Sequence, residues 1–378
     1  MGREPLTLPQ EATHQDMLGV SVVVPTYREA ENLPELIERL AEVRAHARLD
    51  LELVIIDDDS RDGTADAVAM ARQDWVRLVV RTGERGLSTA VIKGFSLATK
   101  EYIVVMDADL SHPPEVIPRM LERLLAGADF VVGSRYTQGG QTAGDWGILR
   151  WMNSRGATLL ARPFTSIQDP MSGFFAFRRA ALENAAHLNP VGYKIGLELL
   201  VKGRFTRVEE VPIYFADRAR GESKLTWREH WRYLKHLRRL AEFKYGNAAH
   251  FIEFAIVGAS GVVVNLGILT LLLLSGAPLQ ISVAVAILVS MLTNFILNRR
   301  ITFSYAREGN FWLQMAGFFV GSSFGAMVNY VVTMLLLYEF PALLRLPQAA
   351  SLAGILAGLL FNYMVSRYLV FRKGPYLD

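Results

Sequence analysis

Cysteine is absent from the 378 residues. Disulfides, cysteine-ligated zinc, iron–sulfur clusters and thiol nucleophiles are excluded with it. No Gly-x-Gly-x-x-Gly follows the first strand-like run, and no Gly-x-x-x-x-Gly-Lys-Ser/Thr occurs, which disfavours dinucleotide and P-loop binding. The 7 histidines never fall in a His-x-x-x-His pattern, so a His-ligated metal is disfavoured too. Fifteen prolines and 30 glycines are ordinary usage and exclude collagen-like and Pro-rich chains. The net charge is only +3, and no basic face stands apart from long apolar runs, so nucleic acid is a poor partner. What the chain does have is apolar residues: 51% are hydrophobic, 20% are charged, and the mean hydropathy is +0.22. That is too apolar for a disordered chain and high for a wholly soluble enzyme.

The average hides two different halves. Residues 1–16 are polar and read as a disordered lead-in; they lack the apolar run of a secretory signal, and Leu6 stands where myristoylation requires Ser or Thr. From Val20 to about Phe215, short β-branched runs alternate with helical stripes. Strands are expected at Val20–Val24, Leu51–Ile56, Val76–Arg81, Tyr102–Met106 and Phe130–Gly133. Helices are expected at Leu33–Ala47, Thr64–Arg72, Ser88–Thr99 and Glu115–Ala126. Such alternation implies an α/β domain, a mostly parallel sheet with helices on both faces. Ligands of such sheets bind beyond the carboxyl ends of the strands, so the residues after each strand carry the chemistry.

From Ile252 the pattern changes. Ile252–Leu274 holds one charge, Glu253; Leu279–Leu297, Trp312–Leu337 and Ala349–Ser366 hold none. Each is long enough to cross ~30 Å of hydrocarbon. The expected organisation is a flexible N-terminus (1–19), an α/β domain (20–225), amphipathic interface helices (226–250) and an all-α membrane domain (251–373). Its spans are placed at about 252–274, 279–298, 312–337 and 348–366. Asn294 to Phe303 matches Asn362 to Phe371, and Val257 to Asn265 resembles Val320 to Asn329, so two hairpins of one design are expected. Thr226–Tyr245 places Trp227, Trp231, Leu234, Leu237 and Leu240 at helical spacing among basic residues, the pattern of a helix lying among lipid headgroups. A solvated helix packed on the α/β domain is the alternative. Arg228, Arg232, Lys235, Arg238, Arg239 and Lys244 precede the first span, Arg299, Arg300 and Arg307 follow the second, and Arg367, Arg372 and Lys373 follow the fourth. The opposite connections hold only Arg345. The α/β domain and the carboxyl tail therefore face the cytoplasm.

The residues after the strands are acidic. The fourth strand ends in Asp107-Ala108-Asp109, two carboxylates able to hold Mg2+ or Mn2+ while phosphates and water complete the shell. The first ends in Pro25-Thr26-Tyr27-Arg28-Glu29, and the second in Asp57-Asp58-Asp59-Ser60-Arg61-Asp62-Gly63-Thr64. Three successive acids repel unless each serves its own partner, and Asp59 or Ser60 is a candidate N-cap for the next helix. His112, before Pro113-Pro114, is expected to shape the loop after the acidic pair.

Together with Lys93-Gly94-Phe95, Asp107–Pro114, Gly133-Ser134-Arg135-Tyr136, Asp169–Phe175 and Arg218–Lys224, this set resembles the dolichol-phosphate mannose synthases and related polyprenol-phosphate glycosyltransferases of glycosyltransferase family 2. The likeness covers residues 20–245, and the four-span tail resembles a membrane domain fused to some members. The resemblance implies a GT-A nucleotide-sugar-binding fold. It implies that Pro25, Tyr27, Glu29 and Asp57 hold the nucleotide, with the backbone of Ile55 and Ala108 nearby. By the same resemblance Asp107 and Asp109 engage metal and diphosphate, and Lys194, Arg218 and Lys224 close over the donor. Arg135, Arg150 and Ser154 then bind the acceptor phosphate, and Asp109, Arg135 and Arg150 are the catalytic candidates. The family often has Gln two residues after the second Asp; here Ser111 stands there as the third metal-site candidate.

The implied reaction is transfer of a hexose, mannose from GDP-mannose, to a polyprenol or dolichol phosphate, with inversion. A lipid phosphate is already an anion and needs no general base, only cations to align it. A UDP-glucose-type enzyme is the near alternative. A processive polysaccharide synthase is disfavoured because Arg150-Trp151 lacks the upstream Gln of a Gln-x-x-Arg-Trp pattern. A flippase whose soluble half only binds is disfavoured because the spans lack an internal acid for coupling. Each candidate also has a plainer reading: Arg135 as a surface ion pair, Lys224 as a loop charge, Arg218 and Arg220 as membrane-surface charges.

Overall fold

The computed structural model describes residues 17–142, 148–189, 194–216, 227–345 and 347–372. The expectation for residues 1–16 lies outside them. The chain divides into two units, Met1–Lys244 and Tyr245–Asp378.

The first unit runs β1 (Leu18–Thr26), α1 (Leu33–His46), β2 (Leu49–Asp57), α2 (Thr64–Ala71), β3 (Val76–Val80), α3 (Leu87–Leu97), β4 (Tyr102–Val105), α4 (Ile117–Leu125) and β5 (Phe130–Ser134). It continues with β6 (Gln141–Thr142), α5 (Ile148–Ala161), β7 (Phe175–Arg178), α6 (Ala181–Asn184), α7 (Ile195–Lys202), β8 (Val208–Pro212), β9 (Tyr214–Phe215) and α8 (Trp227–Tyr245). The main sheet has the order β3-β2-β1-β4-β7-β5-β8, and β6 pairs with β9 apart from it. Every neighbour in the main sheet is parallel except β7, which runs antiparallel to both β4 and β5.

The strand period explains how one sheet buries two faces. Val20, Val22 and Val24 point into a core with Leu33, Leu36, Leu40 and Tyr102, whereas Val23 joins Ile103, Val105 and Phe175 on the other side. α1 follows its sequence stripe, with Leu33, Leu36, Ile37, Leu40 and Val43 all buried. The segment expected to begin a helix at Glu115 opens instead as a 3-10 turn, Pro114–Val116, before α4. The strand β7 has no counterpart in the sequence reading. Its Phe-Ala-Phe-Arg run is four residues long and fully enclosed by β4 and β5, so its period is set by neighbours rather than by a solvent face.

The second unit is helical: α9 (Asn247–Leu274), α10 (Leu279–Arg300), α11 (Phe311–Glu339) and α12 (Pro347–Val365), the last running on as a π-helical turn, Ser366–Val370. Among the described residues, four helices are long and apolar enough to cross a membrane. The internal repeat reappears as geometry. Asn294 faces Gly261 within one hairpin and Asn362 faces Gly325 within the other, where the missing Cβ lets the helices approach. Arg299 ends α10 and donates to Gln314 Oε1 on α11 at 2.8 Å; Arg367 follows α12 and donates to Asn247 Oδ1 on α9. Each hairpin thus ties its terminal arginine to the other, and Phe303 stacks on Phe371 between them at 4.8 Å.

Candidate active site

The carboxyl ends of β1, β2 and β4 share an unusual backbone. Arg28, Asp59, Arg61 and Leu110 all have positive φ, between 54° and 64°, a conformation costly for side chains other than Gly. These turns fold the three strand ends into loops that bond one another. Arg28 N–H donates to Ser60 Oγ at 2.8 Å, and Ala30 N–H to Asp62 Oδ2 at 3.1 Å.

The three successive acids do have separate partners. Asp57 accepts from the Ser60 N–H at 2.9 Å and from its hydroxyl. Asp58 pairs with Arg81 and accepts from Gly86 N–H at 2.7 Å. Asp59 pairs with Arg61 at the surface. The N-cap expectation is corrected: Gly63, at φ +93°, occupies the position before α2, and Asp62 bonds the Thr64 hydroxyl at 2.7 Å. Asp62 also accepts from Ala30 N–H, and it lies two residues beyond Ser60 and three beyond Asp59. Tyr27 is exposed, its ring flanked by the Arg28 and Arg85 guanidinium groups at 5.3 and 5.2 Å. Glu29 accepts from Asn32 Nδ2 at 2.6 Å. Ile55 lies wholly within β2, its side chain in the core.

At the end of β4, Asp107 keeps a third of its side chain exposed. It lines a cavity with Pro25, Lys194 and the 170–173 loop. His112 sits behind it and accepts the Asp107 N–H on Nδ1 at 3.1 Å, so its remaining proton is on Nε2. Burial holds this imidazole below the ordinary histidine range, against the pull of Asp107 and Asp109. Its ring stacks on Phe174 at 5.3 Å and meets Phe215 at 5.5 Å; the Arg135 guanidinium lies 5.1 Å from that same Phe215 ring. One aromatic column therefore links the acidic loop to Arg135.

Asp109 is buried, and its Oδ1 accepts both the N–H and the hydroxyl of Ser111, at 3.1 and 2.5 Å. Ser111 is itself wholly buried. Its hydroxyl gives its proton to the carboxylate and so aims it, while its oxygen lone pairs remain. The pair of carboxylates fits a hard divalent cation in donor chemistry, with Asp107 facing the cavity.

Arg135 follows β5 and forms a bidentate pair with Asp169, Nε to Oδ2 at 2.7 Å and Nη2 to Oδ1 at 2.8 Å. Asp169 is fully buried and Arg135 nearly so. Glu210 on β8 holds the loop from below, accepting Gln168 N–H at 2.8 Å and Asp169 N–H at 3.0 Å. Next to Arg135, Tyr136 bonds Ser154 Oγ on α5 at 2.7 Å, and Arg155 covers the Tyr136 ring at 4.3 Å. Lys194, just before α7, donates to Met171 O at 3.0 Å. Burial lowers its ammonium to about 8, with Arg135 adding to the fall and Asp169 and Asp107 opposing it. The side chain of Arg150 and all of Arg218 and Lys224 lie outside the described residues.

Three residues given no binding role from sequence matter here: Asp169, Gly173 and Glu210. Gly173 passes so close to Asp107 that a Cβ would stand 3.3 Å from both carboxylate oxygens and from His112. The signal was the Asp-Pro-Met-Ser-Gly-Phe-Phe motif itself, whose small residue and leading acid precede β7 directly.

Residues 21–185 match glycosyl transferase family 2, and residues 253–371 match the GtrA/DPMS transmembrane domain. A dolichol-phosphate mannosyltransferase of Pyrococcus furiosus is 41% identical over 356 residues, 93% of this chain and 99% of that protein. The chain belongs to the dolichol-phosphate mannosyltransferase family. The Saccharomyces cerevisiae dolichol-phosphate mannosyltransferase is 44% identical over 62% of this chain and 92% of its own. A polyprenol monophosphomannose synthase of Mycolicibacterium smegmatis is 37% identical over 54% of this chain and 80% of its own. The chain is thus a membrane glycosyltransferase with a GT-A-like domain. Within this mannosyltransferase-family chain, Lys194, Glu210 and α8 lie beyond the stretch matched to glycosyl transferase family 2.

Proposed function

We propose that this chain transfers mannose from GDP-mannose to the phosphate of a polyprenol or dolichol phosphate, with inversion at the anomeric carbon. The observation that carries the reading is the convergence of Asp107, Lys194 and the Arg135–Asp169 pair on one side of the sheet, at the carboxyl ends of its strands. The full-length likeness to a dolichol-phosphate mannosyltransferase supports the same substrates.

Pro25, Tyr27, Glu29 and Asp57 hold the nucleotide on the β1 and β2 loops, beside the backbone of Ile55 and Ala108. Asp107 and Asp109 hold Mg2+ or Mn2+, with Ser111 orienting Asp109. When bound, the cation offsets charge growing on the departing diphosphate. Lys194 adds a positive charge from the opposite wall, and Arg218 and Lys224 are assigned to closing over the donor. The acceptor phosphate is taken by Arg135, Arg150 and Ser154. Asp169 sets the orientation of Arg135 through one edge of a guanidinium that has five N–H donors. Tyr136 fixes the Ser154 hydroxyl. Alignment of two anions against these cations, rather than a base, lowers the barrier. By its Lys and Arg distribution the catalytic domain faces the cytoplasm.

A donor panel tests this. Full-length protein in bilayers receives GDP-mannose, UDP-glucose or UDP-galactose with one polyprenol phosphate, and lipid-linked sugar is counted. GDP-mannose should be preferred; preference for a UDP-sugar would overturn the donor assignment, and sugar appearing on no lipid phosphate would overturn the acceptor.

A further inference from the structure

We infer that His236 is a positioning residue for the nucleotide-sugar pocket: from α8 it holds the start of α7, and through it Lys194, against the cavity. This deepens the reading of that cavity as the donor site and rests on it.

Helix α7 is the layer between α8 and the cavity. Lys194, Ile195, Gly196 and Leu197 line the cavity from its first turn. Leu197 also belongs to the core formed with Tyr233, Leu237 and Leu240 of α8. One turn further, Glu198 is 1% exposed. Its Oε1 accepts from Lys202 Nζ at 2.6 Å and from Asn189 N–H at 2.7 Å. Its Oε2 has no hydrogen-bond partner among the described residues.

The group facing that oxygen is His236, also 1% exposed, with Nδ1 3.9 Å from it. The imidazole lies against the backbone of Lys194 as well. The same backbone takes the Glu198 N–H at 3.3 Å, which begins the helix. His236 therefore touches both ends of the first turn of α7, the carboxylate on its flank and the residue that enters the cavity. A buried imidazole is costly to place in an apolar core, and Tyr233, Leu237 and Leu240 already supply the packing. What the imidazole adds is a polar contact at the one turn whose displacement would move Lys194. The Lys194 ammonium donates to Met171 O at 3.0 Å and lies in the field of Asp107 and Asp169, so a shift of the turn alters how it meets a diphosphate.

The test uses full-length protein in bilayers. GDP-mannose binding with Mn2+ is measured by calorimetry, and KM for donor and for polyprenol phosphate are measured separately. His236→Ala should weaken GDP-mannose about tenfold while the acceptor KM stays within about twofold. His236→Asn, which keeps a short N–H donor, should recover most of the loss. In a Lys194→Met background, His236→Ala should add less than about twofold, because the two act on the same contact. If the alanine chain does not fold, His236→Phe keeps the ring volume without its nitrogens and should show the same donor-selective loss. Equal losses for donor and acceptor, no recovery by Asn, or full additivity with Lys194→Met would overturn the inference and leave the donor site standing. If the unaltered chain does not bind GDP-mannose, or Lys194→Met binds it as tightly, the donor-site reading falls and the inference with it.

Discussion

Arg135 is bound to Asp169 by three hydrogen bonds: two side-chain nitrogens at 2.7 and 2.8 Å and its own backbone N–H at 3.1 Å. The acid is completely buried, so the pair is a fixed part of the site and not a surface contact. Removing Asp169 would leave a buried guanidinium without its counter-charge, which typically costs about 3–5 kcal/mol. Asp169→Ala should lower stability by roughly 3 kcal/mol in denaturant titration and abolish transfer. Arg135→Ala combined with Asp169→Ala should lose less stability than the two single changes summed, because they share one interaction. Strictly additive losses would mean the pair does not stabilise the fold as a unit.

Gly173 supplies clearance. An added Cβ would press on Asp107 and His112 at 3.3 Å, tighter than ordinary packing. Its neighbours there are the Asp107 carboxylate and a histidine ring stacked on Phe174, so the added methyl displaces the acid or the ring behind it. Gly173→Ala should reduce kcat about tenfold or more while costing roughly 1–2 kcal/mol in stability. Wild-type turnover in that variant would show that Asp107 tolerates displacement.

Metal dependence has a direct measurement. Chelation by EDTA should stop transfer, and Mn2+ or Mg2+ should restore it. Asp109→Ala should abolish turnover and cost about 1–3 kcal/mol in stability, because the buried Ser111 N–H and hydroxyl lose their acceptor. Ser111→Ala removes a hydroxyl that aims Asp109, so it should raise the metal concentration needed for half-maximal rate by about tenfold and leave the acceptor KM alone. Full activity in EDTA would eliminate the cation from the mechanism.

Lys194 titrates near 8 because burial penalises its charge. The protonated form is the one that attracts a diphosphate. kcat/KM for the donor should therefore be level below pH 8 and fall as pH rises through it. Lys194→Arg should remove this limb, since arginine keeps its charge. Stability carries the opposite sign. The folded value lies below the ordinary lysine value of 10.5, so the unfolded chain holds more protons between about 8 and 10.5. Stability from this group consequently rises with pH across that window, and the Lys194→Met chain should lack the slope.

Much of this was visible in the chain. The alternation of Val20 to Val24 and the stripe from Leu33 to Val43 specify buried strand and covering helix because side-chain period is a local property. The four apolar stretches specify spans for the same reason. The reading of α8 needed the structure. Leu237 and Leu240 share a helical stripe with Trp231 and Leu234, yet the first two are buried within the first unit beside Tyr233, while Trp231 and Leu234 remain exposed. A helical wheel places an apolar residue on a face but does not say what covers the face.

The chain alone determined the kinds of chemistry available: an acid pair closing one strand, guanidinium and ammonium groups downstream, and uncharged helices long enough for a bilayer. Folding decided which of them meet. Because β7 enters between β4 and β5 against the direction of both, the segment before it is carried back over Asp107, bringing Asp169 to Arg135 and Gly173 to the acid pair. No local propensity encodes that insertion, since it depends on hydrogen bonds between strands far apart in sequence.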